Sequence, residues 1–196
     1  MVTKDLVEEI RELEQVEQEE RTLGDGIAYT SSNSVTKKPL EYYLKHIDSS
    51  PCQVEEIVAW RVDSGGDLYN CLKAKVYKDK IYPAIIPAML GTIRRASIGY
   101  FLSDKGVFHV NTVTTPTGLE LVSGSGTIGI EEGKLMPHIH IAVADHAGNA
   151  YGGHLFPGTI VKEYVEGFII KLKDIKFERV WHEPIKSWRL HFIKTE

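Results

Sequence analysis

The sequence predicts an α+β domain: a mixed, largely antiparallel, curved sheet packed with one principal helix, preceded by an N-terminal helical leader. Three observations predict it. Apolar stretches of strand length recur from residue 54 onward, separated by Gly-, Ser- and Asp-containing breaks. One segment of this region, beginning at Asp67, instead pairs a capping residue with apolar residues at helical spacing. The strands do not alternate with helices, as a parallel α/β sheet would require.

Residues 1–23 read as a charged helix. Leu6, Ile10, Leu13 and Val16 recur at helical spacing among glutamates, with Thr3 as the cap. So narrow a stripe suits docking on its own domain, docking on a neighbouring subunit, or solvation. Residues 24–39 contain Gly24, Gly26, Ser31-Ser32-Asn33-Ser34 and Pro39, which read as loop or linker. A short helix is expected over residues 40–47. The chain thus divides into an acidic helix and linker, residues 1–52, and a domain over residues 53–196.

Within the domain, residues 54–62 form the first expected strand, and Ser64-Gly65-Gly66 breaks it. Asp67 caps a helix carrying Leu68, Cys71, Leu72 and Val76, with Cys71 expected to be buried. An apolar run follows around Ile85 and Ile86. Further strands are expected over residues 91–102, 107–113, 119–124, 126–130, 138–144, 150–155 and 164–172, with a terminal strand over 188–193. Ser103-Asp104-Lys105-Gly106 supplies the first turn among them.

Composition bounds the partners. Among 196 residues, 42% are hydrophobic and 26% charged, as in a globular protein, and the net charge of −4 argues against a broadly basic surface for DNA or anionic membrane. No apolar run approaches the ~20 residues needed to cross a bilayer, and the acidic N-terminal segment does not resemble a signal peptide. Cytoplasm is the expected compartment. The two cysteines, Cys52 and Cys71, are too few and too far apart for a disulfide scaffold.

The chemistry is concentrated in residues 137–155. His138 and His140 are two apart, so on a strand both point to one face. Residues 145–149 form a turn cluster, and residues 150–155 return as the hairpin partner. A turn centred on Ala147 places His154 opposite His140, where Cβ atoms are roughly 5 Å apart. Three imidazoles would then outline a facial metal site, with a position left open for water or ligand. Gly152 and Gly153 would let a ligand or another backbone approach, and Tyr151 would line the pocket or pack on the sheet. The alternative is a set of polar residues on the solvent face of a hairpin. A one-residue slip of register would turn His154 to the opposite face. His146, at the turn tip, is expected to be solvated.

These residues carry a family resemblance. Asp63-Ser64-Gly65-Gly66-Asp67-Leu68 before a helix, the strand around Ala96-Ser97-Ile98-Gly99, and Leu121-Val122-Ser123-Gly124-Ser125-Gly126-Thr127 resemble segments of the plants-and-prokaryotes-conserved (PPC) domain. The most specific match is Pro137-His138-Ile139-His140, then Asp145, Gly148, Gly152-Gly153-His154-Leu155, Gly158-Thr159-Ile160-Val161 and Glu166. The resemblance covers residues 53–180. It implies one helix against a mixed, curved sheet, a homotrimer, and a bound metal, usually zinc, at His138, His140 and His154. Plant members join this domain to an AT-hook, an Arg-Gly-Arg-Pro segment that this chain lacks.

The expected function is therefore that of a trimeric metal-binding PPC-domain protein whose three-histidine site takes a small anionic ligand. Two alternatives stay open: a DNA-binding, transcription-associated protein, and a metal-dependent hydrolase. Hydrolysis would need a general base near the metal, for which Glu166 and Asp145 are candidates by nearness in sequence. His109 could reach the patch if its strand neighbours the hairpin, although a structural role is the simpler reading. Arg94 and Arg95 alternate faces, so at most one looks toward any site. DNA is disfavoured by charge, the basic stretch Lys171, Lys173 and Lys176 being interrupted by Asp174. A third role, assembly through residues 1–23, rests on the glutamate-rich helix alone.

Overall fold

A computed structural model describes residues 39–102 and 105–195 of the chain. The expected helix over residues 1–23, the linker up to residue 38, and Ser103-Asp104 lie outside the described residues. The chain divides into two units between Ile47 and Asp48. In the first, helix α1 spans Leu40–Leu44.

The second unit contains strand β1 (Gln53–Asp63), helix α2 (Leu68–Lys78), and strands β2 (Ala84–Ile86), β3 (Met89–Leu102) and β4 (Val107–Glu131). Strands β5 (Lys134–Ala144), β6 (Ala150–Leu155), β7 (Ile160–Lys173), β8 (Ile175–His182) and β9 (Ser187–Lys194) complete it. They form one sheet in the order β1-β7-β3-β6-β5-β4-β8-β9, with β2 bridging β4 and β7 and a further pairing of β3 with β4. The path β7-β2-β4-β5-β6-β3 returns to β7, so the sheet curls upon itself around its core. All these pairings are antiparallel; among the described strands only β4 with β8 runs parallel.

Helix α2 starts where the sequence places it. The Asp67 carboxylate accepts the Asn70 N–H through Oδ1 at 3.0 Å and the Gly158 N–H through Oδ2 at 2.7 Å, which caps the helix and ties it to the β6–β7 connection. Leu68, Leu72 and Val76, at helical spacing, are buried in the same core cluster as Ile139, Val165 and Ile169 of the sheet. Cys71, expected to be buried, is exposed on the outer side of this helix.

Three strands expected over residues 107–130 form the single long strand β4. Residues 115–118 bulge instead of breaking it. Ile93 pairs with Leu119 and Arg95 with Thr114, so four β4 residues lie opposite Arg94. Gly118 supplies the positive φ of 84°, and the Thr115 hydroxyl donates to the Gly118 carbonyl. Strand β8, not foreseen, pairs along its length with β9, and Phe177 packs with Leu172, Ile175, Leu190 and Phe192 in a second small core.

Candidate metal centre

Strand β5 sets the site by alternation. Ile139, Ile141 and Val143 face the core, while His138 and His140 take the other face. Burying each such aliphatic side chain contributes roughly 1.5–3 kcal/mol, so a one-residue slip that brought the histidines inward would forfeit several of these contributions at once. The core residues therefore fix the orientation of the histidines.

The turn sets the register. The Asp145 carboxylate accepts the Ala147 and Asn149 N–H groups and the Asn149 side-chain amide, each at 2.9 Å, and Gly148 takes a φ of 83°. These hydrogen bonds hold the Asp145 carboxyl below its usual range, the Asn149 side chain contributing most. Ala144 then pairs with Ala150 and His140 with His154. Ring centroids are 5.1 Å apart for His138–His140, 4.9 Å for His138–His154 and 5.5 Å for His140–His154.

One ligand atom from each imidazole lies within 4.8 Å of the others. Around a tetrahedral ion with ~2.0–2.1 Å metal–nitrogen bonds, ligand nitrogens lie about 3.3 Å apart, so small side-chain rotations close the set. Nδ1 of His154 is buried and has no hydrogen-bond partner, a costly state that a metal or a proton-sharing ligand would relieve. A set of neutral imidazoles is the donor chemistry of zinc and its first-row neighbours, so these residues fit a metal ion.

His154 packs in a three-ring cluster with Phe108, centroids at 5.0 Å, and Phe156 at 4.9 Å, the two phenyl rings being 5.2 Å from each other. Close backbone approach makes this packing possible. A Cβ on Gly153 would meet the Gly99 carbonyl oxygen and an Ile98 methyl at 2.7 Å, and one on Gly99 would meet the Phe156 ring at 2.3 Å.

The histidines open on a cavity of about 480 Å³ that also receives Phe108, Glu131 and Arg179. Glu131 and Arg179 are neighbours in the parallel pairing of β4 with β8, and Arg179 Nε donates to Glu131 Oε2 at 3.2 Å. Burial lowers the His138 pKa to about 3, with help from Arg179 and the other two histidines. Burial likewise lowers His154 to about 4, assisted by His140 and Arg179, and lowers His140, assisted by Arg179. All three rings are thus neutral near pH 7, the state in which imidazole binds metal. Burial also pushes the Glu131 carboxyl up, against the opposing pull of Arg179.

Other candidates from the sequence fall elsewhere. Gly153 lines the cavity, whereas Tyr151 and Gly152 do not. Glu166 pairs opposite Arg61 and lines a separate depression with Trp60 and Leu90. Asp145 is consumed by the turn, and His109 is exposed on β4 while its neighbour Phe108 enters the site. Arg95 donates to the Gly158 carbonyl at 3.0 Å, and Arg94 is exposed. Sequence reasoning missed Arg179, Glu131 and Phe108.

Fold and site together define an α+β sheet domain carrying a three-histidine cluster on the face opposite its core. The sequence profile of the Plants and Prokaryotes Conserved (PCC) domain matches residues 49–173, and the chain belongs to that family. A metal-containing protein of Archaeoglobus fulgidus is 27% identical over 76% of this chain and 100% of its own, with a TM-score of 0.64. A plant- and prokaryote-conserved protein of Pyrococcus horikoshii is 26% identical over 76% and 99%, with a TM-score of 0.65. A Bacteroides thetaiotaomicron protein provisionally called DNA-binding is 17% identical over 72% and 97%, with a TM-score of 0.62, a likeness of fold alone. No curated protein matches the chain.

Proposed function

We propose that this PPC-domain protein binds one divalent transition metal ion per chain, zinc first among the candidates, through His138, His140 and His154. An open position would then take a small anionic ligand. The observation that carries this reading is the convergence of three neutral imidazoles, one with an orphaned buried nitrogen, at a single cavity. The metal-containing neighbour from Archaeoglobus supports it. When bound, such an ion attracts anions and acidifies coordinated water. Elemental analysis of purified protein tests the reading. One ion per chain is expected in the wild type and little in His140→Ala; a wild type that takes up no ion after incubation with zinc overturns it.

A homotrimeric state is part of the same proposal. Ile57 on β1 and Phe168 on β7 share a sheet face and are 61% and 52% exposed, an apolar surface of the kind that association covers. Light scattering should give three times the chain mass, falling toward one in Phe168→Glu. A cytoplasmic location is supported by two unpaired, exposed cysteines. No helix among the described residues is long and apolar enough to cross a membrane.

DNA binding has weaker support. Lys171 pairs with Glu55 at 2.8 Å and Lys176 with Glu178 at 2.9 Å, which offsets two of the three lysines in the stretch 171–176. Gel-shift titration on A·T-rich duplex at two salt concentrations discriminates, because true phosphate contacts weaken as salt rises. The hydrolase reading lacks a disengaged base: among the described residues the one carboxylate lining the cavity, Glu131, is held by Arg179.

A further inference from the structure

We infer that Arg179 is the specificity-determining residue of the histidine cavity, and that the ligand it selects is a small monocarboxylate with an apolar, ring-sized body. The inference rests on the metal reading above and deepens it.

The guanidinium is built into place. Its side chain is 11% exposed, Nε donates to Glu131, and Nη2 donates to the Trp188 carbonyl at 3.4 Å. Among the described residues, Nη1 has no hydrogen-bond partner. Two anchors thus orient a planar fork that lines the same cavity as the histidines, with N–H groups to spare. That geometry matches a carboxylate, which can accept two parallel N–H bonds.

Shape narrows the ligand further. Glu131 already offsets the guanidinium, so the cationic excess of the loaded site would be that of the bound ion. A carboxylate would offset part of that charge and still take the spare N–H groups of Arg179. Apart from Ser187, the remaining side-chain walls are aromatic or aliphatic. Tyr100, Phe101, Phe108, Met136 and Trp188 surround the polar floor. A cavity of about 480 Å³ sits within the usual range of small-molecule sites, ~300–1,000 Å³. A bare inorganic anion would leave those side chains facing water, whereas an aromatic or short aliphatic body would cover them.

Benzoate is the probe, with acetate and benzyl alcohol as controls, titrated calorimetrically into zinc-loaded full-length protein. Two variants guard against simple misfolding. Arg179→Lys keeps the charge and loses the fork, and the double variant Arg179→Met/Glu131→Gln leaves no unpaired charge. Benzoate affinity should fall about tenfold or more in both, the scale of a lost charge-assisted pair, while zinc stoichiometry stays unchanged. In the wild type, acetate and benzyl alcohol should each bind about tenfold more weakly than benzoate, since each lacks one half of the recognition. Equal benzoate affinity in wild type and both variants overturns the assignment of Arg179. Acetate binding as tightly as benzoate overturns the apolar wall. If the wild type takes up no zinc, the metal reading falls, and the same titrations on metal-free protein decide the role of Arg179 separately.

Discussion

His140 and His154 are direct partners across the β5–β6 hairpin, their ring centroids 5.5 Å apart. The relationship depends on a turn whose hydrogen bonds converge on Asp145. Asp145→Ala removes three acceptor contacts at the turn, and the denaturation midpoint should fall modestly, as for the loss of other local carboxylate caps. More telling is the site: zinc affinity should drop, because a loosened turn lets the register of His154 drift. Denaturant unfolding and a competitive zinc titration check the two parts. Unchanged zinc affinity would show that the core side chains alone hold the register.

The depressed histidines make a prediction about pH. In metal-free protein His138 and His154 have folded pKa values of about 3 and about 4, below the ordinary 6.5. Between those values and 6.5 the unfolded chain binds protons that the folded chain does not. Stability therefore rises with pH through this window and levels off above it. Thermal midpoints of chelator-treated protein should fall steadily from pH 7 to pH 4, and more shallowly in His138→Gln. A slope that this substitution leaves unchanged would assign the acid sensitivity to other groups.

Gly153 offers a steric test. A methyl group there must displace the Gly99 carbonyl or Ile98, and backbone cannot yield cheaply. Gly153→Ala should destabilise the domain by roughly 1–3 kcal/mol, as overpacking does, and should reduce metal uptake by separating β6 from β3. Urea midpoints with elemental analysis provide the measurement. Gly153 also holds a φ of 156°, so a midpoint that falls while metal uptake stays full would assign the cost to backbone strain and not to separation of the strands.

How much of this was legible in the chain follows from what is local. The histidine hairpin could be read because period-two alternation and a short turn determine which residues meet, and no distant segment intervenes. Helix α2 could be read because Asp67 and the spacing of Leu68, Leu72 and Val76 are likewise local. Arg179 reaches the site through a parallel pairing with Glu131, 48 positions away, and no local pattern records such a pairing. A signal for β8 was nonetheless present: Ile175 and Phe177, both buried, alternate with Lys176 and Glu178. Glu166 shows the converse error, nearness in sequence to a motif mistaken for nearness in space. The family match itself ends at residue 173, before the hairpin that brings in Arg179 and Trp188.

The Arg179–Glu131 pair gives the last prediction, one of stability. Their side chains are 11% and 19% exposed, so removing either partner strands a charge in a largely dry setting. Glu131→Gln should cost about 3 kcal/mol, near the lower bound for breaking a buried pair, because the guanidinium loses its only carboxylate partner among the described residues. Adding Arg179→Met to Glu131→Gln should recover part of that loss, since a methionine of similar length can pack against Trp188 and Met136 without any charge to satisfy. Chemical denaturation of the wild type, both single variants and the double variant closes the cycle. A double variant whose loss equals the sum of the single losses would show that the two side chains act independently, and that their ion pair does not couple β8 to β4 beyond the backbone pairing.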